Sequence, residues 1–194
     1  MFLWGDYSQP EFDLIKKWRV EEKIDGMNVR VIFTVEADNS IKIELKGRNE
    51  DSMIPSALVN HMETKVMNHA MKILEFMNCK GKMVMFGEGY GPKIQSGGNY
   101  RDDIGFILFD VWGGHRWSSR GEVAALAHLL DLPMPFDYGM MTEQEIINLV
   151  AGKPLSPTAI RPMQFEGVIC RSEPLLRNNY TGDPLVFKFK CKDL

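Results

Sequence analysis

The chain lacks any apolar stretch long enough to cross a membrane as a helix. Of its 194 residues 44% are hydrophobic and 25% are charged, which is ordinary for a globular protein. No apolar run approaches the roughly 18–20 residues that a bilayer requires. The opening segment MFLWGDYSQPEF turns polar early and does not resemble a secretory signal. The sequence therefore predicts a protein without a membrane partner.

Cysteine is also scarce, and its spacing excludes two further classes of site. The three cysteines are odd in number and far apart, at Cys79, Cys170 and Cys191. This pattern predicts neither a disulfide framework nor a zinc cluster, and the four histidines show no ligand spacing either. Free thiols are typical of a reducing compartment, so we expect a cytoplasmic protein, in the host cytoplasm if its source is a virus.

The chain has no excess of positive charge. Its formal net charge is −3 at pH 7, whereas proteins that coat nucleic acid without sequence preference are usually basic. Net charge does not describe the distribution of charges, so a local basic groove stays possible. The length predicts one domain over residues 1–194.

Hydrophobic patterning predicts strands in neighbouring groups. Alternating or continuous apolar runs predict strands at 29–38, 41–48, 82–91, 103–112, 165–170 and 185–192. Helical spacing predicts one long helix over 56–78 and two shorter helices at 119–132 and 142–150, both with capping-box spacing at their start. Because the strands do not alternate regularly with helices, we expect an α+β fold with antiparallel sheets flanked by helices.

Lys23 stands among acids in the segment EEKIDG and precedes a glycine turn. Free lysine has a pKa of about 10.4, so only ~0.04% is the nucleophilic amine at neutral pH. An attacking lysine therefore needs neighbouring cations, a metal ion or desolvation. Taken alone, the segment is better explained as a solvated surface face, because exposed ion pairs are common and weak.

The last apolar segment, VFKFKCK, alternates strictly. This places Lys188, Lys190 and Lys192 on one face of a strand, with Phe187 and Phe189 on the other. Lysines of this kind either protect an edge strand against aggregation or bind a polyphosphate. In the second case they would also favour the amine form of a nearby lysine.

Two glutamates stand beside glycines at the ends of apolar runs. Glu88 lies between Gly87 and Gly89, and Glu166 precedes Gly167. A carboxylate that enters an apolar strand is costly unless it is paired, hydrogen-bonded or bound to metal. These two glutamates with Asp25 could hold Mg²⁺ through its waters, or could simply cap turns.

Together and in this order, these segments resemble the covalent nucleotidyltransferase superfamily of ATP-dependent RNA ligases, DNA ligases and mRNA capping enzymes. The matching motifs are Lys23-Ile24-Asp25-Gly26, Lys46-Gly47-Arg48, Phe86-Gly87-Glu88-Gly89, FILFDVW with Phe109 at the stacking position, Phe165-Glu166-Gly167-Val168 and Val186-Phe187-Lys188-Phe189-Lys190. Asn28 extends the first motif to K-x-D-G-x-N, which resembles the RNA ligase branch.

The resemblance implies an adenylyltransferase (nucleotidyltransferase) domain of ATP-grasp-like type, in a minimal form without a C-terminal OB-type domain. It implies an ATP-dependent RNA ligase that joins 5′-phosphate and 3′-hydroxyl ends through a lysyl-AMP intermediate and an adenylylated 5′ end. The expected partners are ATP and RNA, as single-stranded ends or a nicked duplex, and the expected state is a monomer. An ATP-dependent DNA ligase, a capping-type transferase and a non-catalytic module that binds RNA ends stay as alternatives.

The resemblance also implies a role for each matched residue. Lys23 carries AMP, Lys188 and Lys190 stabilise the charge on the phosphoryl oxygens, and Asp25 and Glu166 favour the amine form of Lys23. The remaining roles are assigned as follows: Asp25, Glu88 and Glu166 hold Mg²⁺ or Mn²⁺ through water, Arg48 and Glu88 bind the ribose hydroxyls, Phe109 stacks on adenine, the backbone around Glu22 reads the adenine edge, and Asn28 and Arg30 contact phosphate or ribose.

Overall fold

The computed structural model describes residues 12, 14–178 and 181–194. The chain divides into two compact units. The central unit is residues 25–134, and the terminal unit joins the described residues up to Ile24 with residues 135–194. Each unit contains one four-stranded antiparallel sheet. The expected α+β class with antiparallel sheets and flanking helices is therefore confirmed. None of the described helices is long and apolar enough to span a bilayer.

The sheet of the central unit has the order β3-β2-β4-β5. Its strands are β2 Met27–Val35, β3 Ile41–Gly47, β4 Lys82–Tyr90 and β5 Gly105–Trp112. The β2–β3 hairpin turns where the sequence predicts, and Asn39 adopts a φ of 64° there. Val29, Val31 and Phe33 are fully buried on one face of β2, as their alternation predicts.

Helices α1 Ser56–Lys65, α2 Ala70–Phe76 and α3 Arg120–Leu129 contribute side chains to the core of this sheet. The predicted single helix over 56–78 is wrong, because the chain leaves the helical conformation at Val66, where φ is −128°. Asn68 and His69, just beyond the break, are weak helix formers. The apolar positions of the pattern nevertheless stay in or against the core on both sides of the break.

The sheet of the terminal unit has the order β6-β1-β7-β8. Its strands are β1 Trp18–Glu22, β6 Asp137–Met141, β7 Gly167–Arg171 and β8 Val186–Lys190, and its helix is α4 Glu143–Ala151. Trp18, Val20 and Phe189 of the sheet pack in one cluster with Ile146 and Val150 of α4. The core of this unit therefore lies on the face of the sheet that α4 covers.

The sequence analysis missed strands β1 and β6. Strand β1 contains three charged residues, and these are stabilised by partners distant in sequence. Arg19 bonds to Asp137 at 2.8 Å and to Glu173 at 3.3 Å, and Glu21 accepts a hydrogen bond from buried Arg171 at 3.0 Å. Because these partners are distant in sequence, the local pattern of residues does not predict a strand here.

Helix α3 begins with the predicted capping box, in which Ser119 and Glu122 exchange side-chain and backbone hydrogen bonds. Hydrogen bonds from Arg116, at 2.5 and 2.8 Å, and from the Ser119 backbone lower the pKa of Glu122 from 4.5 to about 2. Ionised Glu122 therefore stabilises the native state above pH 4.5, and this contribution is lost as the pH falls toward 2.

We expect Glu122→Gln to lower the free energy of unfolding at pH 7 by about 1 kcal/mol, a value reduced for the exposure of the pair. Urea unfolding at several pH values measures this loss, which should shrink as the pH falls below about 4.5. Exposed Glu75 in α2 offers a matched control, since Glu75→Gln should change the free energy little. A loss that is constant with pH would contradict the assignment.

Candidate active site

Backbone hydrogen bonds fix Lys23 just beyond the end of β1. Its N–H donates to the carbonyl of Gly167 at 2.9 Å, and the N–H of Glu22 donates to the carbonyl of Phe136 at 2.8 Å. Because side chains alternate along the strand, Glu22 shares the core face with Val20, and Lys23 points to the opposite face. Lys23 is therefore directed away from the core but stays partly buried.

An ion cluster surrounds Lys23 on this face. Its Nζ lies 2.5 Å from Oε2 of Glu166, and Nζ of Lys190 lies 2.5 Å from Oε1 of the same carboxylate. Each of the three side chains is 20% exposed. Side chains from the Lys23 motif, the Glu166 motif and the last strand therefore lie together here, and the roles predicted for them stay predictions. The carboxylate of Glu166 bridges Lys23 and Lys190, and the spacing of the motifs in the sequence does not predict this bridge.

Gly167 allows the close approach that builds this cluster. It pairs with Lys190 across β7 and β8 and adopts a φ of 150°. A Cβ at this position would lie 2.2 Å from the carbonyl oxygen of Phe189 and 2.6 Å from Cα of Lys190. Only glycine fits there without moving the strand that carries Lys190.

We expect Gly167→Ala to lower the free energy of unfolding by about 2–3 kcal/mol, because the added methyl group meets backbone that cannot rotate away. Gly121 in α3 provides the control, since no atom of the described residues that could clash lies within 4 Å of its added Cβ. Gly121→Ala should stabilise the protein by up to ~1 kcal/mol through helix propensity. Thermal or urea unfolding measures both, and equal effects of the two variants would contradict this packing.

The other lysines of the last strand are placed differently. Lys188 shares the face of Lys190 but is exposed, and no ion pair of its side chain occurs among the described residues. The prediction that Lys192 continues this face is wrong, because β8 ends at Lys190 and a 3-10 turn over Cys191–Asp193 follows. Asp193 accepts a hydrogen bond from the backbone N–H of Lys190 at 2.9 Å, which ends the strand there.

Glu22 is 1% exposed. Thr158 donates a hydrogen bond from its hydroxyl to Oε2 of Glu22. Oε1 of Glu22 and the hydroxyl of Tyr138 are buried without a hydrogen-bond partner among the described residues. Burial and the negative charge of Glu22 raise the pKa of Tyr138, which keeps that hydroxyl protonated. Sequence reasoning missed Thr158 and Tyr138, since they lie in a loop and in a strand without local signals.

This arrangement bears on the predicted role of the backbone around Glu22. The N–H groups of Glu22 and Lys23 are both used inside the terminal unit. The side-chain Oε1 of Glu22, in contrast, has no hydrogen-bond partner in the part of the chain that the structure describes. A buried acceptor of this kind is costly until a donor reaches it.

Several predicted nucleotide-binding residues share one face of the central sheet. Asn28 lies directly opposite Glu88 across β2 and β4. Arg30 follows Asn28 on the same face, away from buried Val29. Its guanidinium donates two hydrogen bonds, at 2.9 and 3.2 Å, to the carbonyl of Gly47 at the end of β3. Arg30 thus already binds the backbone of the second motif.

Arg48 and Phe109 lie at irregular points of the same sheet. Arg48 follows the last residue of β3 and is exposed. Phe109 is the unpaired residue of a bulge, because Phe86 pairs with Asp110 and Gly87 pairs with Leu108. Bulges redirect side chains and are frequent beside active sites. Phe109 is half-buried, and Arg120 donates a hydrogen bond to its carbonyl at 3.0 Å.

The carboxylates in the described part of the chain do not form a ready-made metal cluster. No group of three or more His, Cys, Asp or Glu side chains there could hold a metal ion. Both carboxylate oxygens of Glu166 accept hydrogen bonds from lysines. The predicted metal contacts of Asp25, Glu88 and Glu166, which run through water, stay predictions.

A family model described as RNA ligase matches residues 16–190. The match includes all the predicted motifs and parts of both compact units. One nucleotidyltransferase domain over 1–194 stays a prediction. No curated protein matches the chain.

Solved structures of the RNA ligase of Naegleria gruberi have a similar fold. A mutant with ATP and Mn has a TM-score of 0.65 at 17% identity, over 95% of this chain and 52% of that one. A mutant with AMP and Mn has a TM-score of 0.64 at 17% identity, over 94% and 52%. The enzyme with PPi has a TM-score of 0.64 at 17% identity, over 92% and 50%. This chain thus spans about half the length of those ligase chains.

The fold agrees with these structures, and the family model covers most of the sequence. The predicted superfamily and its RNA ligase branch are therefore confirmed: the chain belongs to the RNA ligase family.

Proposed function

We propose that this chain catalyses ATP-dependent RNA ligation with Lys23 as the nucleophile. In the first step the amine of Lys23 attacks the α-phosphorus of ATP, a P–N bond forms, and the bond to pyrophosphate breaks. AMP then passes to the 5′-phosphate of an RNA end, and a 3′-hydroxyl displaces AMP to form the phosphodiester. The alternatives are sealing of DNA ends, cap formation from GTP, and end binding without catalysis.

The observation that carries this proposal is the cluster of Lys23, Glu166 and Lys190. A protonated lysine is no nucleophile, so a proton must leave Nζ before attack. Oε2 of Glu166 lies 2.5 Å from Nζ of Lys23 and is the acceptor in place for that proton. Lys190 binds the other oxygen of Glu166 and fixes the orientation of the carboxylate.

Lys190 and exposed Lys188 supply positive charge on the same face of β8. Charge develops on the phosphoryl oxygens during attack, so prearranged cations stabilise the transition state more than the ground state. A divalent cation that arrives with the nucleotide phosphates would add to this neutralisation. The described carboxylates form no cage for it in advance.

The assignments to the central unit are carried over as proposals. Arg48 and Glu88 bind the ribose hydroxyls, and Phe109 stacks on the adenine base. Asn28 lies opposite Glu88 and has both a donor and an acceptor for ribose or phosphate. For Glu22 the unpartnered Oε1 is better suited than the backbone to accept a hydrogen bond from the exocyclic amino group of adenine.

Two assays on the purified chain test the function. Incubation with ATP and Mg²⁺ or Mn²⁺ should increase the intact mass by one AMP, and GTP should give no adduct. A 5′-phosphorylated RNA with a 3′-hydroxyl should then be sealed, both as a single strand and in a nicked duplex. Adduct formation from GTP alone would favour a capping-type transferase, and sealing of DNA but not RNA would favour a DNA ligase. Absence of any adduct would contradict catalysis.

A further inference from the structure

Tyr100 contacts the backbone of the nucleophile motif. Its Oη accepts a hydrogen bond from the N–H of Asp25 at 3.2 Å. The two residues are far apart in sequence, and both belong to the central unit. Tyr100 is 1% exposed and Asp25 is partly buried, so water competes little for this donor.

The side chain and the backbone of Tyr100 each have a partner in the central unit. It packs edge-to-face against Tyr90 with ring centroids 5.9 Å apart, and its N–H donates to the carbonyl of Gly97 at 3.0 Å. The guanidinium of Arg101 lies 5.5 Å from the ring centroid of Tyr90 and bonds to Asp103 at 2.6 and 2.7 Å. The hydroxyl of Tyr100 therefore has a defined position relative to β4.

Gly26, the next residue along the chain, packs closely against residues of β4. A Cβ at Gly26 would lie 2.4 Å from the carbonyl oxygen of Gly89 and 2.9 Å from Cγ of Glu88. Pairing of Met27 with Gly89 begins directly afterwards. The backbone of Asp25 and Gly26 is thus fixed by Tyr100 at one residue and by β4 at the next.

We propose that Tyr100 is a positioning residue for adenylylation. Its hydroxyl holds the amide of Asp25 and thereby fixes the backbone of the Lys23-Ile24-Asp25-Gly26 motif at its third residue. This inference rests on the proposed function. A displacement of a reacting group by about 1 Å can lower a rate on the order of a hundredfold, so one hydrogen bond at this point has a measurable kinetic effect.

Tyr100→Phe removes the hydroxyl and keeps the ring, and Tyr90→Phe is the matched control in the same aromatic pair. The hydroxyl of Tyr90 accepts a long hydrogen bond, of 3.5 Å, from Arg101. Single-turnover formation of the protein–AMP adduct should fall about tenfold or more in Tyr100→Phe, as for removal of other supporting hydrogen bonds. The ATP concentration at half-maximal rate should stay the same. Tyr90→Phe should keep the wild-type rate.

Hydrogen exchange of the Asp25 amide, followed by NMR, tests the contact independently of activity. The amide should be protected in the wild-type protein and should exchange at least about tenfold faster in Tyr100→Phe. An unprotected Asp25 amide in the wild-type protein would overturn the contact, even if Tyr100→Phe failed to fold. A protected amide with a wild-type adenylylation rate in Tyr100→Phe would overturn the positioning role. A protected amide without any adduct in the wild-type protein would overturn the proposed function, and the positioning role with it.

Discussion

Replacing Lys23 by arginine should abolish the protein–AMP adduct while leaving the fold intact. Arginine keeps the positive charge that Glu166 binds at 2.5 Å, but its guanidinium stays protonated and cannot attack phosphorus. The expected loss is complete within detection, because no other group replaces a covalent nucleophile. Intact mass after incubation with ATP measures the adduct, and thermal unfolding should show a midpoint close to wild type.

The matched control for this variant is Lys192→Arg. Lys192 is exposed and lies beyond the end of β8. Its replacement should leave the amount of adduct unchanged. An adduct of normal yield in Lys23→Arg would show that AMP is carried elsewhere, and the proposal for Lys23 would be abandoned.

The second large effect is expected for Glu166→Gln. The amide keeps the shape of the side chain but loses the charge that bridges Lys23 and Lys190. The proton of Lys23 then lacks its carboxylate acceptor, and the two ammonium groups are no longer neutralised. We expect the rate of adenylylation to fall at least about a hundredfold, a typical value for loss of a general base. Single-turnover kinetics at saturating ATP measure this rate.

Glu173→Gln is the control for that variant. Glu173 is exposed and pairs with Arg19 at 3.3 Å in the same unit, so it tests the loss of an ordinary surface ion pair. Its effect on the rate should be within about twofold, since such pairs are worth little. Equal rates for the Glu166 and Glu173 variants would mean that the bridge has no part in the reaction.

The fold was predictable where the pattern is local. Alternation at Val29, Val31 and Phe33 places β2 correctly, since a half-buried strand imposes a period of two. The capping boxes at Ser119 and Thr142 place the starts of α3 and α4, because each satisfies its own helix end. These features depend on neighbours within a few residues.

The parts that sequence reasoning missed depend on distant partners. Strand β1 carries Arg19 and Glu21, whose partners lie more than a hundred residues further along the chain. The break at Val66 has no signal in the apolar pattern, and the side chain of Val66 is fully buried in the core. The long apolar pattern itself continues across it.

The candidate site likewise has features that the sequence predicts and features that it does not. Motif order identifies Lys23, Glu166 and Lys190 as a group, and their contacts support that grouping. The bridging geometry, and the burial of Glu22 against Thr158 and Tyr138, have no sequence signal. They arise where a loop and an unpredicted strand meet the end of β1.

The most direct test of the account is to locate the AMP on the wild-type protein. The chain is incubated with ATP and a divalent cation, digested, and the modified peptide is sequenced by tandem mass spectrometry. The account predicts AMP on the side chain of Lys23 and on no other residue. AMP on Lys188, Lys190 or any other residue, or an unmodified Lys23 peptide under conditions in which RNA is sealed, would contradict it.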